Sequence, residues 1–167
     1  TTYYYPHTFH YKGKEITGLF RDTRLSNKIS FDYWNWNGEK AAEDLVRSLL
    51  HIRERLPNDG RDYIVTIVMD GENAWEYFDE QGKPFLTHLY SLLSSTDEIK
   101  TTTPSEFLER SKDSKEYIAR IYPGSWIDAN FRTWIGQREK NRAWELLTFV
   151  RNELAKHTNE SSFEEAY

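Results

Sequence analysis

Apolar and polar positions along the chain repeat with two different periods. Ala42, Leu45, Val46, Leu49, Ile52 and Leu56 stand three or four residues apart, the spacing of one apolar stripe on a helix. Asn37 precedes them as a cap, and Pro57-Asn58-Asp59-Gly60 stops them, so a helix is predicted between the two signals. Tyr63–Met69 lacks that period: β-branched and apolar residues follow one another almost without a break. Such a run predicts a strand covered on both faces, as in a parallel sheet. It ends abruptly at Asp70-Gly71-Glu72-Asn73, where two carboxylates stand two residues apart.

The remaining elements are read the same way. Glu15–Phe20 and Ile99–Thr103 are expected as short strands, and Pro84–Leu93 as a helix carrying Phe85, Leu86, Leu89 and Leu93. Thr103 caps a further helix over Pro104–Ser111, with Pro at its first position and Glu106 in its first turn. A long helix is expected over Arg138–Lys156, with Trp144, Leu147 and Leu154 on its buried face. Residues 1–14 read as an irregular arm closed by the turn Lys12-Gly13-Lys14. Leu25–Tyr33 reads as a loop or short strand, and 157–167 as a frayed tail. Strands alternating with helices imply an α/β fold with parallel strands, either an open sheet or part of a β/α barrel, in a single domain.

Functional groups of such folds gather at the carboxyl ends of strands, which makes Asp70 the first candidate. An acid desolvated there is held toward the working range of a general acid, whereas the alternative is a helix cap with Glu72 in the first turn. Arg21 and Asp22 also end an expected strand and so point to the same crevice.

Composition narrows the classes. The chain has 167 residues and a net charge of −5, with no basic run, which argues against nucleic acid and anionic membrane surfaces. Without cysteine there is no disulfide or thiolate metal site, and no two histidines stand at i,i+4. No cofactor is implied. No segment approaches the ~20 apolar residues of a membrane span, and a cytoplasmic location is expected. Aromatic residues make up 16% of the chain, with six Trp, more than a core of this size needs. Several rings are therefore expected to serve as contact surfaces.

Three segments in order carry a resemblance. GLFRDTRLSNKISFDYW (18–34), VMDGENAWEYFDEQGKPFLTHLYSLL (68–93) and YPGSWIDANFRTWIGQREKNRAWELL (122–147) resemble glycoside hydrolase family 57, with the amylopullulanase-like branch closest in wording. The resemblance implies an incomplete seven-stranded β/α barrel and hydrolysis of α-glucans with retention of configuration. It puts the general acid/base on Asp70. Glu72, Trp75, Trp126, Asp128 and Trp134 then become candidates, with Arg21 and Asp22, for contacts to sugar rings and hydroxyls.

A retaining reaction needs a second carboxylate ~5–5.5 Å away, and no Glu in residues 1–48 stands in the context the family gives its nucleophile. The chain is therefore expected to be the C-terminal part of a catalytic barrel. Its strand edges would be covered by the missing N-terminal half or by self-association, and alone it would be inactive. Other readings are a 4-α-glucanotransferase or branching enzyme of the same family, a non-catalytic glucan-binding piece, and a Mg²⁺-dependent hydrolase using Asp70 and Glu72 as oxygen ligands.

Overall fold

The computed structural model describes residues 3–71, 74–111 and 116–157. It divides into two compact units, Thr1–Arg120 and Ile121–Tyr167.

In the first unit the chain enters as a strand. The arm expected to be irregular forms β1, His7–Tyr11, which turns through Lys12 and Gly13, both at positive φ, into β2, Lys14–Gly18. The two pair antiparallel, with Phe9 opposite Ile16. Glu116–Ile118 adds a third strand, β3, parallel to β1 on its other side, giving the order β2-β1-β3. This mixed sheet stands where sequence pattern predicts a parallel series.

The apolar run at 63–69 is the largest departure. It is held by one isolated parallel bridge between Thr66 and Arg21, and by Ile64 N–H donating to the Tyr4 carbonyl at 2.7 Å. Val65, Ile67 and Met69 pack on the core while Val68 is 50% exposed, so one face is covered and not two. Among the described residues Ile99–Thr103 pairs with no strand, and it runs irregularly into the cap of the next helix.

Helices fit the pattern better. Asp22 caps a short helix α1, Thr23–Asn27, which continues as a π turn over Lys28–Asp32 and a 3₁₀ turn over Tyr33–Asn35. Residues 25–33 are therefore helical, where a loop or strand was expected. The long helix α2, Gly38–Arg55, starts where Asn37 accepts from the Lys40 N–H. Lys83–Ser95 forms α3 after Gly82, whose φ of +80° suits glycine and whose missing Cβ leaves room for the Trp75 ring. Thr103 caps α4, Pro104–Arg110, as predicted, and with Glu106 it closes a capping box.

The core lies between α2, α3 and the turns after α1. It comprises Leu25, Ile29 and Tyr33 against Ala41, Ala42, Leu45, Val46, Phe85 and Leu89. Gly38 lets α2 approach α3, since a Cβ there would meet the Phe85 backbone nitrogen at 2.8 Å.

The second unit holds α5, Arg138–Ala155, within one residue of its predicted end. The expected buried face is absent: Trp144, Leu147 and Leu154 are all exposed, and no residue of α5 is buried. Among the described residues no helix is long and apolar enough to cross a membrane.

Candidate functional site

Asp70 ends the extended segment whose direction is set by the Thr66–Arg21 bridge. Val65, Ile67 and Met69 face the core, so alternation places Thr66, Val68 and Asp70 on the opposite face. Val68 and Asp70 are exposed accordingly, which corrects the expectation of an acid desolvated by covering neighbours. The anchor of this segment is polar and specific. Asp22 N–H donates to the Thr66 carbonyl at 2.8 Å, and Val68 N–H donates to the Ser26 hydroxyl at 3.2 Å. Ser26 is fully buried, so the strand end carrying Asp70 is pinned to α1.

Arg21 and Asp22 run in the same direction as Asp70 but stand beside Thr66. Four residues at ~3.3 Å put Asp70 about 13 Å further along. Arg21 donates to Asn27 Oδ1 at 2.9 Å, an arrangement that braces α1. Asp22 is buried and both of its oxygens are engaged: Oδ1 accepts from Leu25 N–H, and Oδ2 from the Tyr4 hydroxyl at 2.8 Å. Burial, with the Asp22 bond second, pushes the Tyr4 hydroxyl up to about 12. This pair joins the entering chain to the start of α1. The signal for it was an Asp directly before Thr23-Arg24-Leu25, which reads as a helix start.

The expected stacking rings separate into kinds. Trp75 is partly buried, 5.3 Å from Phe78 and 5.9 Å from Phe85, and so belongs to the wall of the core. Glu72 lies outside the described residues. Trp126, Asp128 and Trp134 belong to the second unit. Trp126 is 71% exposed, Asp128 is exposed at a φ of +52°, and the Trp134 carbonyl accepts from the Trp144 indole at 2.8 Å. Their loop is shaped by Ser125, whose hydroxyl donates to the carbonyls of Ile127 and Asn130.

Among the described residues no three His, Asp or Glu side chains gather as ligands for a metal ion. A broad cavity of about 940 Å³ opens between the end of α2, residues 61–67 and the segment leading to α4. Among the described residues it includes none of the sequence-predicted site residues.

Residues 1–122 match the sequence profile described as Glycosyl hydrolase family 57. The chain belongs to that family. No individual curated protein matches it. Family membership makes this a glycan-active chain of the glycoside hydrolase class, and the match runs through the whole first unit. Asp70 and its anchoring residues fall within the family 57 match, whereas Trp126, Asp128 and Trp134 fall beyond it.

Proposed function

We propose that this chain carries the acid/base half of a retaining α-glucan hydrolase, with Asp70 as the proton donor to the leaving glycosidic oxygen. The observation that carries this reading is Asp70 itself. It is an accessible carboxylate at the end of an extended segment pinned by Ser26 and Asp22, inside the family match. A pinned backbone with an open side chain suits a group that meets a bulky polymer, gives its proton to the leaving oxygen and then takes one from the incoming water. In this reading the barrel is that of the family, and the nucleophilic carboxylate comes from a segment outside these 167 residues. The protein partner of the chain is that segment, and the 167 residues alone do not turn over glucan.

Asp70→Asn in the active enzyme tests the assignment. Hydrolysis of α-glucans should fall by roughly 10²–10⁴-fold, the usual worth of a positioned acid/base. An aryl α-glucoside, whose leaving group needs little protonation, should lose less. Azide, which attacks without base assistance, should restore turnover by trapping the glycosyl intermediate as a glycosyl azide of retained configuration. Wild-type rates on glucan, or a variant that azide cannot rescue, would overturn the role.

A further inference from the structure

Trp34 and Tyr77 are used by nothing described so far. Their ring centroids lie 6.3 Å apart with planes tilted at 59°, and the two residues are 45% and 70% exposed. Each ring stands next to an anchor. Trp34 follows Tyr33, which is fully buried and donates to Asp44 at 2.6 Å, and Tyr77 precedes the buried Phe78. The Trp34 indole N–H is already given to the Phe31 carbonyl at 2.8 Å. That bond fixes the indole and removes its donor, so the ring presents its apolar π face to water.

Large apolar faces held rigidly in solvent mark binding surfaces. The flanking residues say what kind. Asp32, Glu76 and Asp79 are exposed carboxylates within two residues of one ring or the other, and such groups accept from hydroxyls. A pyranose has this composition in complement, with C–H groups on its face and hydroxyls on its rim.

We propose that Trp34 and Tyr77 form a stacking platform for a glucosyl ring of an α-linked glucan, a subsite in which neither residue handles the reacting bond. The nature of the glucan rests on the reading of the function above, whereas the platform rests on the two rings.

Native gel electrophoresis of the 167-residue chain through amylopectin, and in parallel through a mixed-linkage β-glucan, separates the two claims. The chain should be retarded by amylopectin. Trp34→Ala and Tyr77→Ala should each weaken the apparent affinity about tenfold, the scale of one lost aromatic contact, and Trp34→Phe should keep much of it. Circular dichroism checks that each variant is folded. Should Trp34→Ala lose the indole anchor and unfold, Tyr77→Ala decides alone. Retardation by amylopectin unchanged in the folded variants overturns the platform and leaves the α-glucan reading standing. Retardation by the β-glucan alone, lost in the variants, upholds the platform and overturns the α-glucan reading. No retardation by either polymer overturns the platform.

Discussion

Two helices of this chain have the same length and opposite fates. Helix α2 and helix α5 each run for 18 residues, and each carries an apolar stripe at helical spacing. On α2 the stripe is consumed: Ala41, Ala42, Leu45, Val46 and Ile52 are buried, against α3 and the turns after α1. On α5 nothing is buried, and Trp144, Leu146, Leu147, Phe149 and Val150 are all exposed. The contrast teaches that a stripe states which face of a helix is apolar, while burial also needs an opposing surface. For α2 that surface is supplied from nearby in sequence. Residues 25–33 directly precede it, and Phe85 and Leu89 follow after the segment 56–82, a closure whose entropy cost grows only slowly with length.

The comparison breaks first at α2. Leu45 is 2% exposed and sits among the core residues, so Leu45→Ala removes transfer energy and leaves a cavity. The expected loss is about 2–5 kcal/mol in urea unfolding. A loss below 1 kcal/mol would mean that this core yields as easily as a surface.

A smaller effect is expected at the polar hinge of the same helix. Asp44 Oδ2 accepts from both Lys28 Nζ and the Tyr33 hydroxyl, each at 2.6 Å, and ties α2 to the turns before it. Burial alone would raise the Asp44 carboxyl. The bonds from Lys28 and Tyr33 outweigh that and hold it below its ordinary value. Burial, followed by the bond to Asp44, pushes the Tyr33 hydroxyl well up. Asp44→Asn keeps an acceptor but loses the charge, at a cost of about 1–3 kcal/mol at neutral pH.

The sign of the pH dependence follows from the direction of the shift. A carboxyl whose folded pKa is lowered contributes stability that is present above its unfolded pKa of ~3.9 and fades as pH falls through the folded value. The gap between wild type and Asp44→Asn should therefore be full at pH 6 and shrink below about pH 4. Urea midpoints of both proteins at pH 6, 4 and 3 measure it. A gap that stays constant down to pH 3 would remove the charge from the explanation.

The same contrast between local and distant partners accounts for what was legible in the sequence. Asn37, the Thr103–Glu106 box and the end of α5 were readable because caps are chemistry between residues three or four apart. Strand β1 was not, since Tyr-, His- and Pro-rich residues carry little period and its partners lie at 14–18 and 116–118. The run at 63–69 was read as a parallel strand, and the structure gives it one isolated parallel bridge at Thr66. That only one of its faces is covered was not visible, because pattern cannot count neighbours.

The site divides along the same line. Asp70 was singled out from an apolar run ending in an acid, a local signal. Trp75 was placed with the candidate stacking rings, but its surroundings are Phe78, Phe85 and Gly82, which only the fold brings together. Asp22 looked like a site acid because it follows a strand, yet a cap and a site acid share the same residue type. The Trp34–Tyr77 pair was invisible, its members standing 43 positions apart in the chain.

The smallest effect belongs to α5, where the comparison is sharpest. Leu147 occupies the middle of the stripe as Leu45 does on α2, but it is 59% exposed. Truncation there, at a side chain mostly open to water, returns little buried surface to solvent and leaves no enclosed void, so little of the core penalty applies. Helix propensity points slightly the other way, since alanine is the better helix former. Leu147→Ala in the 167-residue chain should therefore change stability by less than about 0.5 kcal/mol, against several for the same substitution at Leu45. Chemical unfolding of the two variants side by side gives the ratio directly. If Leu147→Ala costs as much as Leu45→Ala, the α5 stripe is covered in solution, and the difference between the helices lies in when their partners arrive. If the ratio is large, exposure of α5 is a property of this chain, and whatever covers its apolar face must come from elsewhere.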